Sequence, residues 1–282
     1  MPHPEERYAQ PLDFEPGRIR RSTDEPIRVG SMLWVFTDPH RGHEYAYNRW
    51  YERDHYYAGC MIGANTVAGS RWVATRDHKA ARFPDDSPLP FALTDGSYGC
   101  VYYILDGAHD EWLDWATPQL HKLYAADRGF QARTHYNTGV YRHRWRAYRD
   151  RDPIPIELAL DVRYPGMVAF FVEPTGPQEA VDEWFDAHLP AWLDGSPVAS
   201  VVAWSPEPLL DTKPDFVPVD PNAGERVLHV HFVEADPLAE WHRWESLAAD
   251  LEAAGVGRLV WASPFAQTHM GTDTYVDQLW LD

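Results

Sequence analysis

Met32-Leu-Trp-Val-Phe36, Cys100-Val-Tyr-Tyr-Ile-Leu105, Met167-Val-Ala-Phe-Phe-Val172 and Val227-Leu-His-Val-His-Phe-Val233 are four short apolar runs. Each leads into an amphipathic segment rich in Trp and acidic residues, and then into a second strand. A single β-α-β unit cannot bury its own apolar face, so repeated units must stack. Two units build one β-α-β-β-α-β domain, and four build two. The fold class read from the pattern is α+β: two ferredoxin-like domains whose antiparallel sheets pair into a barrel, with a cavity expected between the sheets.

Around these runs the chain divides into an N-terminal Pro-rich arm (1–30), a first domain (31–150), a second domain (156–265) and a tail (266–282). An edge strand is expected in the tail at Tyr275-Val-Asp-Gln-Leu-Trp280. The charged, Pro-bearing stretch Arg149-Asp-Arg-Asp-Pro-Ile-Pro155 marks the boundary between the domains. The long strand is expected at 133–146 and helices at 109–126, 178–188 and 237–254, with an earlier helix running to Tyr57. With 282 residues, 44% apolar residues and 13 Trp, the chain can build a large core and an aromatic-lined pocket. A formal charge of −18 argues against nucleic acid and against an anionic membrane surface as partners, since both need clustered cations. No apolar run approaches the roughly 18 residues that cross a bilayer. The first residues show no secretory signal pattern, and Cys60 and Cys100 are the only cysteines. The expected location is therefore cytoplasmic. The two cysteines do not form a zinc pattern, and dinucleotide, Walker, H-E-x-x-H and G-x-S-x-G motifs are all missing from the sequence.

Three clusters could carry chemistry. Side chains alternate across a strand, so in 227–233 Leu228, Val230 and Phe232 share one face, while Val227, His229, His231 and Val233 share the other. If helices cover the first face, both imidazoles point into the cavity, as acid–base groups, as ligands or as buried structural groups. In the strand 133–146, His135, Asn137, Gly139, Tyr141 and His143 alternate with Tyr136, Thr138, Val140 and Arg142, and neither face is plainly apolar. His135 and Asn137 are placed inside, and His143, beside Arg144-Trp-Arg146, toward solvent. In the helix 44–57, Asn48, Tyr51 and His55 fall at i, i+3 and i+7 on one face. A His with Tyr and Asn at hand is a proton-transfer set, and an imidazole with an ordinary pKa of about 6.5 suits a base near neutrality. The competing reading is a His that caps or packs the end of its helix. Trp34, Tyr103 and Trp261, on strands, are expected to line the pocket.

Tyr47-Asn-Arg-Trp-Tyr-Glu-Arg-Asp-His55, followed by Gly63 and Ala68-Gly-Ser-Arg-Trp-Val-Ala74, resembles the EthD-like branch of the dimeric α+β barrel superfamily. Glu183-Trp-Phe-Asp-Ala-His-Leu-Pro190 resembles the same motif with one residue fewer between Trp184 and His188. The first copy departs from the family wording with His-Tyr-Tyr, and the second and fourth units match only in their strand–helix–strand rhythm. The resemblance implies an internal duplication that brings both barrel halves onto one chain, with homodimerisation still open. It also implies functional roles at His55 and His188. The superfamily spans cofactor-free monooxygenases, isomerases, cyclases, dehydratases and haem enzymes, so the fold does not select a reaction.

The expectation is a small-molecule enzyme that uses cofactor-free acid–base chemistry, of lyase, isomerase or cyclase type, on a largely apolar, cyclic or aromatic metabolite. His55, His229, His231 and Tyr51 are its catalytic candidates. Asn48, His135, Asn137, Trp34, Tyr103, Trp261 and His188 are its substrate-binding candidates. The alternatives are a haem- or single-metal-dependent oxidative enzyme and a non-catalytic binder of a small ligand.

Overall fold

A computed structural model describes residues 3–21, 27–218 and 220–281. After a short helix α1 (Pro4–Tyr8), two similar halves follow. The first runs β1 (Val29–Pro39), helix α2 (Glu44–Trp50) continuing as a π-helical segment (Tyr51–Met61), β2 (Thr66–Val73), helix α3 (Arg76–Ala80), β3 (Tyr98–Leu105), α4 (His109–Ala125) and β4 (Arg133–Tyr148). The second runs β5 (Gly166–Pro174), α5 (Gln178–Leu193), β6 (Val198–Glu207), β7 (Val227–Val233), α6 (His242–Ala253) and β8 (Gly257–Gln267). The eight strands, all antiparallel to their neighbours, close in the order β1-β3-β2-β8-β5-β7-β6-β4. Each half therefore contributes its strands in the spatial order fourth, first, third, second. The seam between β4 and β6 carries eight paired positions from Val140↔Glu207 to Tyr148↔Ser200. The seam between β2 and β8 carries only Trp72↔Gln267 and Val73↔Ala266.

An eight-stranded barrel is just wide enough to be filled by its own side chains, and this one is filled by aromatics. Trp34, Phe36, Trp72, Tyr103, Tyr141, Phe171, Trp204, Phe232, Trp261 and Phe265 form one buried cluster. Most of their rings lie edge-on or tilted, with centroids 5.3 Å apart for Phe36–Trp261 and 5.4 Å for Tyr103–Trp204, in the usual range for aromatic pairs. The expected cavity between the sheets is thus a packed core. Trp34, Tyr103 and Trp261 belong to that core and do not line a pocket.

The helices lie outside the barrel, so most strands are buried on both faces and read as near-continuous apolar runs, while much of β4 is half-buried and mixed in composition. The face assignment in β7 inverts for this reason. Leu228, Val230 and Phe232 enter the barrel. His229 and His231 face α5 and α6, where they pack on Phe170, Phe185, Trp192 and Trp244. Sequence alternation specifies that two faces exist but not which one is the barrel. His143 also departs from expectation: it turns inward against Trp204, at 5.7 Å between ring centroids, and burial pushes its pKa down to about 3.

The arm is anchored to its own chain. Phe14 packs on Tyr148 at 4.7 Å, Arg20 bridges to Arg146, and Ile19 N–H donates to Asp186 Oδ1 at 2.8 Å. Gly17, at φ +72°, sits where an added Cβ would lie 2.3 Å from the Pro190 backbone. The tail forms turns in place of the expected edge strand, with Tyr275 in the left-handed region at φ 74°. It clamps α2 through Asn48 Nδ2 donating to the Thr272 carbonyl (2.9 Å) and Trp280 Nε1 donating to Glu44 Oε1 (2.6 Å). Cys60 and Cys100 are free buried thiols, pushed up by burial to about 12 and about 11.

His229 stacks on Phe170 at 4.8 Å, lies 4.6 Å from Phe185, and neither ring nitrogen has a hydrogen-bond partner. Burial lowers its pKa to about 3 and holds that of His231 well below the ordinary imidazole range. The unfolded imidazole takes up a proton below about 6.5 whereas the folded one does not, so this stabilisation is complete above that pH and is lost as pH falls toward 3. Each such histidine contributes a slope of about 1.4 kcal/mol per pH unit in that window. His229→Phe is therefore expected to gain up to about 2 kcal/mol on the wild type between pH 7 and 5, read by urea unfolding at the two pH values. An unchanged pH dependence would contradict this account of the pair.

Candidate functional site

The helix entering the site changes its winding partway along. Hydrogen bonds of π type from Tyr51 onward fit one extra residue into a turn. Trp50 and His55, five residues apart, therefore stack at 4.4 Å with 18° between their planes. In α5, wound as an ordinary α-helix, Trp184 and His188 reach the same arrangement four residues apart: 4.4 Å and 15°. The one-residue difference between the two sequence motifs is the π insertion. Gly59 is part of the same device, because a Cβ there would fall 2.9 Å from His55 Cε1.

The wider turn sets which residues face the sheet. Tyr47, Tyr51 and His55, together with Gly59 and Cys60, form one wall of a cavity of about 110 Å³. Leu33, Val35 and Thr37 of β1 form the floor, and Trp112, Leu113 and Ala116 of α4 a second wall. Arg133, His135, Thr138 and Val140 come from β4, and Lys213 and Phe216 from the connector after β6 close it over. Tyr47 shares a 2.7 Å hydrogen bond with Thr37 Oγ1, and Tyr51 a 2.6 Å bond with Tyr102. Burial holds both phenols above their usual pKa, so each is a neutral donor.

His135 reaches this cavity through a bulge. The register between β1 and β4 slips between Phe36↔Asn137 and Thr37↔His135, leaving Tyr136 as the extra residue. The slip puts His135 on the outer face with Thr138 and Val140, while Asn137 falls outside this cavity and receives a 3.4 Å bond from the Tyr141 hydroxyl. Arg133 Nε donates to His135 Nε2 at 2.8 Å. That leaves the ring proton on Nδ1, facing Thr138 Oγ1 at 2.9 Å. Burial, then the Arg133 charge, lowers the pKa of His135 to about 3, and the same two causes bring His55 to about 3. His55 Nδ1 is buried with no hydrogen-bond partner.

Of the expected site residues, His55, Tyr51 and His135 converge. Asn48 sits on the flank of the helix, its Oδ1 receiving a 2.5 Å bond from Arg71, whose charge is also met by Glu52 at 3.0 Å. His188 is half-buried in the second half, 3.9 Å from Asp250. His229 and His231 occupy the helix–sheet layer of that same half, in which Phe170 and Phe185 fill the space. Tyr47, Arg133 and Lys213 are members that the sequence reading missed. The first could have been found by reading the helix at i, i+4, i+8, but Lys213 sits in an aperiodic connector with no such signal. Among the described residues, no three His, Cys, Asp or Glu side chains come together as a metal-ligand group, and no helix is long and apolar enough to cross a membrane.

Two solved structures share the overall fold. An anthrone oxidase-like protein aligns over 86% of this chain and 95% of its own, with 10% identity and a TM-score of 0.50. A provisionally assigned chlorite dismutase, TA0507, aligns over 90% of this chain and 100% of its own, also with 10% identity and a TM-score of 0.50. The chain has the dimeric α+β barrel fold. Here the barrel is internally duplicated, with both ferredoxin-like halves in one polypeptide. No family profile and no curated protein sequence matches the chain, and at 10% identity the structural likeness establishes the fold and not the chemistry.

Because burial and Arg133 both disfavour a charged imidazole, His55 and His135 are expected to stay neutral from pH 7 down to about 5, against an ordinary pKa of about 6.5. His135 is expected to be the Nδ1–H tautomer throughout. Histidine-selective ¹⁵N NMR checks both, and protonation of either ring near pH 6.5 would contradict the geometry described.

Proposed function

We propose that this chain is a small-molecule enzyme whose active site is the helix–sheet cavity of the first half, and that it removes a proton from an activated carbon of a largely apolar ring compound. One observation carries the reading: a mostly apolar pocket with a few convergent polar groups, among them a half-buried imidazole whose Nδ1 is shielded from water and has no partner. In this reading His55 is the base, as its neutral form has a free lone pair. Tyr51 and Tyr47, both neutral donors, orient or polarise the substrate oxygen, and His135 holds Arg133 in place. Proton removal of this kind is shared by dehydration, isomerisation, cyclisation and cofactor-free oxidation of a carbanion by dioxygen, so the pocket supports that class as a whole.

A haem-dependent reading has to fit a macrocycle into the same layer. A single benzene ring takes an apolar cavity of about 150 Å³ and a porphyrin several times that, whereas this partly open cavity of about 110 Å³ has room for one small ring that reaches its mouth. The residues as arranged do not accommodate a porphyrin, and no step is derived through one. An absorption spectrum of protein purified without an affinity tag checks the point, because a Soret band would displace the acid–base reading.

The main test is a thermal-shift screen of ring compounds followed by turnover assays on the hits. Exchanging His55 for Gln is expected to lower kcat by about 10²–10⁴-fold, the usual worth of a positioned base, with little change in KM and an unchanged far-UV spectrum. Full activity in H55Q would remove His55 from the mechanism.

A further inference from the structure

The cavity is electrostatically unlike the rest of the molecule. The chain carries 43 acidic and 25 basic residues, yet among the described residues no Asp or Glu lines this pocket, while Arg133 and Lys213 do. Arg133 and Lys213 are half-buried, and cations withdrawn from water normally sit beside a carboxylate, as several do elsewhere in this chain. Arg71 meets Glu52 at 3.0 Å, Arg144 meets Asp182 at 2.5 Å, Arg146 meets Glu157 at 3.1 Å, and Arg226 meets both Glu173 and Asp220. Buried Arg82 is held instead by the backbone carbonyls of Leu93, Asp95 and Gly96 at a turn beside Asp38.

Arg133 has no carboxylate within ion-pair distance among the described residues. Its three nitrogens donate to neutral acceptors: His135 Nε2, the Phe130 carbonyl and the Tyr124 hydroxyl. A guanidinium carries five N–H groups, so two remain for a ligand. Its plane is pinned by Trp50 and Phe216, each with its ring centroid 5.0 Å from the guanidinium carbon. Lys213 reaches the same pocket from the connector, its Nζ donating to the Val217 carbonyl at 2.9 Å. A fixed cation with spare donors, a second cation lining the same cavity and apolar walls make a receptor for one negative group on an apolar body.

We infer that the molecule bound here carries an anionic oxygen on an apolar ring, as a carboxylate or an ionised phenol or enol, and that Arg133 receives it with Lys213 as the second cation. The inference rests on the cavity being the ligand site, as proposed above. It adds a coupling between binding and chemistry. The Arg133 charge is one of the two causes that keep His55 from taking a proton. A bound anion offsets that charge, so the ligand itself makes His55 a better base.

Calorimetric titration with benzoate, its neutral isostere benzamide, and 4-nitrophenol, whose ionisation is visible, tests this. Wild type is expected to bind benzoate or the nitrophenolate at least tenfold more tightly than benzamide. The preference is expected to vanish in Arg133→Gln, to survive in Arg133→Lys and to weaken in Lys213→Gln, all with unchanged far-UV spectra. Nitrophenolate binding without benzoate binding assigns the anion to a phenol or enol, and the converse to a carboxylate. Equal binding of benzoate and benzamide, blocked by Ala116→Trp in the cavity wall, overturns the inference and leaves the cavity as the site. Binding that Ala116→Trp leaves unchanged, or no binding of any probe, overturns both.

Discussion

Most strands of this molecule are buried twice. The barrel fills with aromatic side chains on the inside and is largely covered by helices on the outside, so across most of the sheet space for a ligand exists only where packing is given up. A packed interior of this kind tolerates few voids larger than a water molecule, which makes the first-half cavity a feature that needs a cause. The cause lies in local backbone irregularity: a π-helical turn that widens one helix, and a bulge in β4 that swings His135 and Arg133 to the outer face.

The duplication supplies an internal comparison. In the first half, Leu33 and Val35 pair with Tyr102 and Cys100 across the sheet. In the second, Val168 and Phe170 pair with His231 and His229. The two histidines thus stand where a tyrosine and a cysteine stand in the first half, and Phe185 follows Trp184 as Tyr51 follows Trp50. In the second half these rings close on one another, with Phe185 and His229 only 4.6 Å apart, and no π turn widens α5. One half kept a pocket with polar groups, and the other became core.

Much of the fold was legible from the runs of apolar residues, since strands buried on both faces leave an unbroken signal. The strand expected at 133–146 is Arg133–Tyr148, and the helix expected at 109–126 is His109–Ala125. The same double burial erased the information about which face of β7 points inward, so His229 and His231 went to the wrong layer. His135 and Asn137 were placed together because strict alternation has no means of anticipating a bulge. His55 and Tyr51 were found because helical spacing survives a widened turn. Asn48 was grouped with them because a period of 3.6 and a π turn put different residues beside the sheet. Lys213 lies in a connector whose path is set by contacts remote in sequence.

The most direct test of the account is a crystal structure of the protein soaked with a panel of small ring compounds. Density between the π-helical segment and β4, against His55 and Arg133, is the expected result. Density inside the barrel among Trp34, Tyr103 and Trp261, or in the second half against His229 and His231, would contradict the assignment of the site.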